Sequence, residues 1–432
     1  MKHALAEVLA WQDDPGSGLK PVERPAPNLA STMLPLTIDR RRQPPPPAEY
    51  RVATGAFRYW TAAEALRRAA DFWAGIVPST TEWWIGGALP VALDDGVDLN
   101  ANYDRFGLHF YHQRLAGATV YTGESPDVLC HELGHAVLDA VKPQLFHTAS
   151  METAAFHEAF GDISAILSAL QLEPVRRALI AATGGRYQSS QVSRLAEQVG
   201  AAVRRLRPDA ADPDCLRNAV NSFSYRTPAQ LPPWAPASQL SCEPHSFSRV
   251  FSAGFFEALC LMASDGQERL TEDRLREVAL DAAGLLVDAI RSSPVPSRLF
   301  ADVAARMVAA AGAVDRRYPR LLHSAFLRRG ILSAAAEAGG DAPKSNVGLL
   351  TLSGRPFGLG ETALIVQAAG GADESHAFVR WLIERGRIET PAGRFSAIPS
   401  HPHTVRSHRL VELDDQLVLE RILFDCGFHA RS

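Results

Sequence analysis

The chain has 432 residues, 46% hydrophobic and 21% charged, with a formal net charge of −4. That length and apolar content are enough to bury a large core across two or three domains and argue against a disordered protein. No basic block with interleaved aromatics points to nucleic acid, and Arg40-Arg41-Arg42 is short enough to read as a solvated linker. Five cysteines at irregular spacing without a C-x-x-C pair argue for reduced thiols rather than a disulfide framework.

In chain order, residues 1–15 contain no apolar run that would serve as a signal peptide. No segment is expected to span a membrane, so a cytoplasmic location is the simplest expectation, with non-classical export left open. Residues 1–49 end in four prolines, 44–47, and read as an extended, mobile leader. Residues 61–73 form a predicted helix with Thr61 and Glu64 as a capping box. Residues 89–111 alternate polar and apolar positions between turn signals, a pattern of short strands. From 151 to 332 the pattern is helical, broken at 184–185, 208–213 and 228–236. A Gly-Gly-Asp-Ala-Pro stretch at 339–343 is a natural linker, and 344–432 reads as a separate small α+β module: β-like runs at 347–352 and 417–423 around a helix near 377–385. His401, His403 and His408 in that module lack a further ligand at matching spacing and read as a surface loop. There is no internal repeat.

The chemistry concentrates in His131-Glu132-Leu133-Gly134-His135. On a helix the two histidines lie about 40° and one turn apart, close enough to chelate one ion. Leu129, Cys130, Leu133, Ala136 and Val137 take the opposite side, so the segment reads as a buried helix whose polar stripe, including Glu132 and Asp139, faces a cleft. The plain alternative is a surface helix with two solvated imidazoles. Against it stands the second cluster: Glu158 follows far enough downstream for a reversing loop and a returning helix, and Asp162 shares its face. Two neutral imidazoles and a carboxylate suit Zn²⁺, with Glu132 as base and Asp162 placed to accept the free ring N–H of His131.

These segments resemble the thermolysin family of metallopeptidases, and the likeness spans roughly residues 53–332. Asp127 to Asp139 is similar to the family's active-site helix. His157-Glu158-Ala159-Phe160-Gly161-Asp162 is similar to its third-ligand motif, with His157 and Gly161 in place of Asn and Ser. Asn100-Ala101-Asn102-Tyr103-Asp104 resembles the edge strand that holds the substrate backbone, Leu216-Arg217-Asn218 the arginine that binds a substrate carbonyl, and His245 the histidine that stabilises the tetrahedral intermediate.

The resemblance implies an α+β fold: a two-lobed core, with a small α/β lobe and a larger helical lobe, over residues 50–333, the zinc helices lying at about 125–167, and the small module appended. It implies a Zn²⁺ site of His131, His135 and Glu158, catalytic Glu132 and His245, supporting carboxylates Asp162 and Asp139, and substrate contacts from Asn100, Ala101, Arg217, Val128 and Leu216. The last two favour an apolar residue after the scissile bond. The implied activity is endopeptidase action on a protein or peptide substrate, without nucleic-acid or membrane partners, and the oligomeric state is open. There are departures. No tyrosine lies between 146 and 156 to serve as second oxyanion donor; His147 is nearest and reads as a loop residue. Leu240 stands where an aspartate orients the intermediate-binding histidine, leaving Glu243 as substitute. Asp127 matches one calcium ligand, yet Ala169 replaces a calcium-site glutamate, so calcium is not supported. These departures motivate a second reading, a zinc-binding pseudo-peptidase or interaction module; exopeptidase trimming is a third, though no glycine-rich motif for binding a free N-terminus is evident.

Overall fold

A computed structural model describes residues 6–31, 33–40, 42–115, 117–333, 347–391 and 405–426. The fold is mixed α+β. Near the N-terminus, β1 (Glu7–Ala10) and β2 (Val22–Pro25) pair antiparallel, and β3 (Leu36–Ile38) follows. The expectation of a mobile leader is corrected here. Strand alternation puts Val8 and Ala10 on one fully buried face, where β1 packs on helix α1 (Gly55–Ala74). In the proline run the Pro46 carbonyl accepts from Tyr50 Oη and Trp60 Nε1. Helix α1 also starts before the expected cap. Thr54 caps it through Phe57 N, while the Thr61 hydroxyl accepts from Trp11 N and Glu64 pairs with Arg68. Burial of Phe57, Tyr59 and Trp60 outweighs their modest helix propensity and extends the helix upstream.

Strands β4 (Leu89–Ala92), β5 (Ala101–Tyr103) and β6 (Leu108–Phe110) join β3: β3, β4 and β6 run parallel, and β5 runs antiparallel to β6. A hairpin of β7 (His112–Leu115) and β8 (Ala118–Tyr121) leads into α2 (Pro126–Val141) and α3 (Met151–Ala169). Ser125 and Ser150 cap these helices, and Pro126 occupies the first turn of α2, where its missing N–H costs nothing. After α4 (Glu173–Thr183), which ends at left-handed Gly184, the short strands β9 (Arg194–Leu195) and β10 (Arg217–Asn218) flank α5 (Glu197–Leu206). Helices α6 (Pro244–Ser264), α7 (Glu272–Ser292), α8 (Leu299–Ala311) and α9 (Tyr318–Arg328) complete the helical part. By length and composition α6 could cross a membrane, contrary to the expectation that no segment could; 89% of its apolar window is buried inside the protein, against α3 and α9.

The C-terminal part is a five-stranded sheet, β11 (Gly348–Ser353), β12 (Ala363–Ala368), β13 (Ile388–Glu389), β14 (His408–Leu413) and β15 (Gln416–Arg421), in the order β11-β12-β15-β14-β13 with α10 (Ala372–Glu384) packed on it. Its core includes Ala149, Met151 and Ala154 from the loop before α3 and from α3 itself, so it is built onto that helix. The Ser150 hydroxyl donates to Glu374 Oε1 (2.5 Å), and Ala149 N donates to Gln367 O (2.7 Å). His408, expected in a surface loop, is buried in β14; His401, His403 and the 339–343 linker lie outside the described residues. A last strand, β16 (Phe424–Asp425), leaves this sheet and pairs antiparallel with β5.

Candidate metal centre

Helices α2 and α3 approach closely because glycines face each other across them. A Cβ on Gly134 would lie 2.9 Å from Gly161 Cα and 2.8 Å from Ser164 Cβ. This contact brings His131 and His135 of α2 to Glu158 of α3. His131 Nε2 lies 3.3 Å from Glu158 Oε2, and His135 Nε2 lies 3.7 Å from Glu158 Oε1. Donors each about 2.0–2.1 Å from a tetrahedral Zn²⁺ stand roughly 3.3 Å apart, close to these separations.

All three side chains are buried, and among the described residues His131 Nε2 and His135 Nε2 face no hydrogen-bonding group beyond the Glu158 carboxylate between them. Buried polar atoms without full partners are costly, and two imidazole nitrogens converging on one buried carboxylate suit a cation. The donor set fits a metal ion. Glu132 belongs to the same cluster, its ligand atom lying within 4.8 Å of those of both histidines, but Glu158 is the carboxylate at contact distance from both rings.

No protein-family model matches the chain, and no curated protein matches it. Among solved structures it is similar to the precursor of protealysin, a metalloproteinase from Serratia proteamaculans, at 14% identity and a TM-score of 0.43, over 65% of this chain and 81% of that one. At that level the likeness carries no argument about function, and the reading rests on the side chains.

The electrostatics suit a cation. Burial lowers His135 to about 3, so its ring is neutral, the form in which an imidazole can bind a cation. Burial also works against a charged His131, but its bonds to Asp162 and Glu158 lift it to about 9, because the surrounding carboxylates attract positive charge to this ring. Burial raises Glu132 to about 7. Asp162 Oδ1 sits 3.1 Å from His131 Nδ1 and accepts from Arg217 Nη2 at 2.8 Å, and despite its burial these partners hold it at about 2. It is therefore an anion that fixes the imidazole and anchors Arg217 at once.

Asp139, expected beside a zinc histidine, is placed elsewhere. Its carboxylate takes Arg105 Nη2 (2.7 Å), Arg105 Nε (3.0 Å) and Tyr103 Oη (2.9 Å), whereas His135 Nδ1 has no hydrogen-bond partner among the described residues. The buried guanidinium outcompetes a neutral ring for that carboxylate. His157 likewise has no hydrogen-bond partner among the described residues and stacks on Phe424, with centroids 4.0 Å apart. His147 is not a free donor: Arg105 Nη1 lies 3.1 Å from its Nε2, and Arg421 N donates to its Nδ1.

His245, in the first turn of α6, points its Nε2 at Glu158 Oε2 (3.0 Å) and donates from it to the Asp425 carbonyl (2.7 Å). Its Nδ1 lies 2.6 Å from Glu243 Oε1, and Glu243 also caps α6 by accepting from Ser246 N. Glu243 thus stands in the orienting position that Leu240 cannot fill. The adjoining carboxylates overcome burial and hold the ring protonated well above its ordinary range.

Asn100 precedes β5 and Ala101 opens it, between β6 and the last strand of that sheet, β16. Asn100 Oδ1 accepts from Ala101 N, and Ala101 O accepts from Cys426 N at 2.9 Å. Val128 is buried in α2, while Leu216 and Arg217 line the cleft with Glu158, His245 and Cys426. The strand expected to hold a substrate backbone therefore holds the chain's own residues 424–426. Nothing in local sequence flags Cys426, whose thiol donates to Glu132 Oε1 at 2.9 Å. Apart from this site, Asp14, Asp127 and Glu197 place one carboxylate oxygen each within 4.8 Å of one another, all buried. Asp14 comes from the N-terminal segment and Glu197 from α5, so spacing around Asp127 could not have shown this cluster.

Proposed function

We propose that the chain is a zinc-dependent endopeptidase with a thermolysin-like two-lobed core, acting on peptide substrates with an apolar residue after the scissile bond, and that it works in the cytoplasm. The observation that carries this reading is the convergence of the buried His131 Nε2 and His135 Nε2 on the Glu158 carboxylate, beside Glu132 and at the start of strand β5, which accepts an extended chain. When bound, Zn²⁺ supplies Lewis acidity, lowering the pKa of water from 15.7 to about 7 and polarising a carbonyl.

The remaining work falls to the chain. Glu132, with its affinity for a proton raised by burial, takes one from the attacking water and returns it to the leaving amine. His245, kept protonated by Glu243 and Glu158, donates from Nε2 to the developing oxyanion; in the structure that N–H already grips a peptide carbonyl, that of Asp425. Ala101 O and its neighbours hold the substrate backbone by strand addition, which fixes the scissile bond without reading its side chains. Leu216 supplies the apolar wall, and Arg217, held by Asp162, lies beside the cleft as a carbonyl donor.

The test pairs metal analysis with hydrolysis of an N-terminally blocked peptide. Because Cys426 contacts the base, wild type and Cys426→Ala are assayed together. About one zinc per chain is expected. Glu132→Gln should keep its zinc and fold yet lose turnover; residual activity above about a tenth would remove Glu132 as the base. A zinc-free chain that hydrolyses the peptide would overturn the reading.

A further inference from the structure

We propose that Cys426 is a fourth ligand for the metal held by His131, His135 and Glu158, and that residues 424–426 fill the peptide groove as an intramolecular plug. The proposal rests on the metallopeptidase reading above and names how that site is closed.

Three observations carry it independently. The first is backbone geometry: Phe424 pairs with Tyr103 and Asp425 with Asn102, and Cys426 N donates to Ala101 O, so the segment adds a strand to β5 where a substrate chain would lie. The second is that the Asp425 carbonyl accepts from His245 Nε2, the donor assigned to an oxyanion. The third is the thiol, which donates at 2.9 Å to Glu132 Oε1, and Glu132 is the carboxylate that clusters with His131 and His135. Thiolate is a strong zinc donor, and a closed four-ligand site excludes the water that a catalytic site keeps. The step balances without a redox partner: as sulfur bonds the metal, the S–H proton passes to the Glu132 carboxylate, and release by water reverses both transfers.

The segment is anchored from both sides. Arg387 Nη2 donates to Asp425 Oδ1 at 2.7 Å, and the Phe424 ring stacks on His157 and His135, with centroids 4.0 and 5.0 Å apart. Arg421 Nε donates to the Phe146 carbonyl in the loop between the two metal helices, and its guanidinium lies 4.0 Å from the Phe424 ring centroid. Covalent tethering keeps the plug at a local concentration of about millimolar, far above most peptide substrates.

Full-length protein loaded with Co²⁺ provides a readout apart from activity. Wild type and Cys426→Ser should each take up about one cobalt, and only wild type should show the near-ultraviolet thiolate-to-cobalt charge-transfer band. Cys426→Ser should raise kcat/KM for a blocked peptide by about tenfold or more. Arg387→Met, which leaves every ligand in place, should raise it in the same direction. Cobalt uptake without a thiolate band in wild type, or equal hydrolysis by wild type and Cys426→Ser, would overturn the plug while leaving the metal site standing. Failure of both proteins to take up cobalt would instead overturn the metallopeptidase reading beneath it.

Discussion

The imidazole of His131 lies directly on Gly161: a Cβ at that position would sit 2.6 Å from Cε1 and 2.7 Å from Nδ1 of the ring. Contacts that short do not occur, so any side chain there must push the ligand away from Glu158. Gly161→Ala should therefore weaken metal binding about 10–100-fold, the range of a disturbed supporting contact, while the helices still form. A metal-chelator competition titration checks this, and an unchanged affinity would mean that the backbone yields instead of the ring.

Asp162 should show two effects at once. Asp162→Ala removes the acceptor for His131 and leaves Arg217 buried without its carboxylate. Metal affinity should fall about 10–100-fold, and stability by about 3–5 kcal/mol, the usual result of orphaning a buried charge. Chemical denaturation of the metal-free protein isolates the second effect from the first.

Asp139→Asn separates structure from metal support. The substitution weakens the bonds to Arg105 and Tyr103, so the melting temperature should drop. Zinc affinity should not change, since neither metal histidine bonds this carboxylate. A fall in affinity matching that of Asp162→Ala would return Asp139 to a role beside the metal.

The carboxylates around Asp14 set a pH dependence. Burial, reinforced by their mutual repulsion, raises Asp13 to about 7 and Glu197 to about 9, and Asp14 and Asp127 are raised as well. The unfolded chain releases these protons near the ordinary carboxylate range, whereas the folded chain retains them. The folded state thus binds more protons in between, and stability falls as pH rises from about 4 through about 7 to 9. Asp127→Asn should flatten that slope, measured as melting temperature at pH 6 and pH 9. A slope equal to that of wild type would show that the cluster does not titrate in this window.

The residues placed to hold a metal could be read from local sequence because an α-helix converts spacing into a shared face. His131 and His135 one turn apart, and Glu158 and Asp162 one turn apart, define their faces before any tertiary contact exists. The helical run after residue 151 and the strands of residues 89–111 were legible for the same reason, since apolar periodicity records which side must be buried. Other relationships were illegible because nothing local encodes them. Val8 and Ala10 anchor the N-terminal segment only because α1 supplies a surface for them. Asp139 lost its expected role because Arg105 and Tyr103 arrive from β5 and the turn after it. Gly161 looked like a departure until the packing of His131 gave it a reason. Cys426 stood among five cysteines with no motif around it; only the pairing of β16 with β5 carries its thiol to Glu132, nearly three hundred residues away in sequence. Periodicity is a property of neighbours along the chain, whereas the closing of the cleft depends on the pairing of two strand edges that the chain itself does not mark.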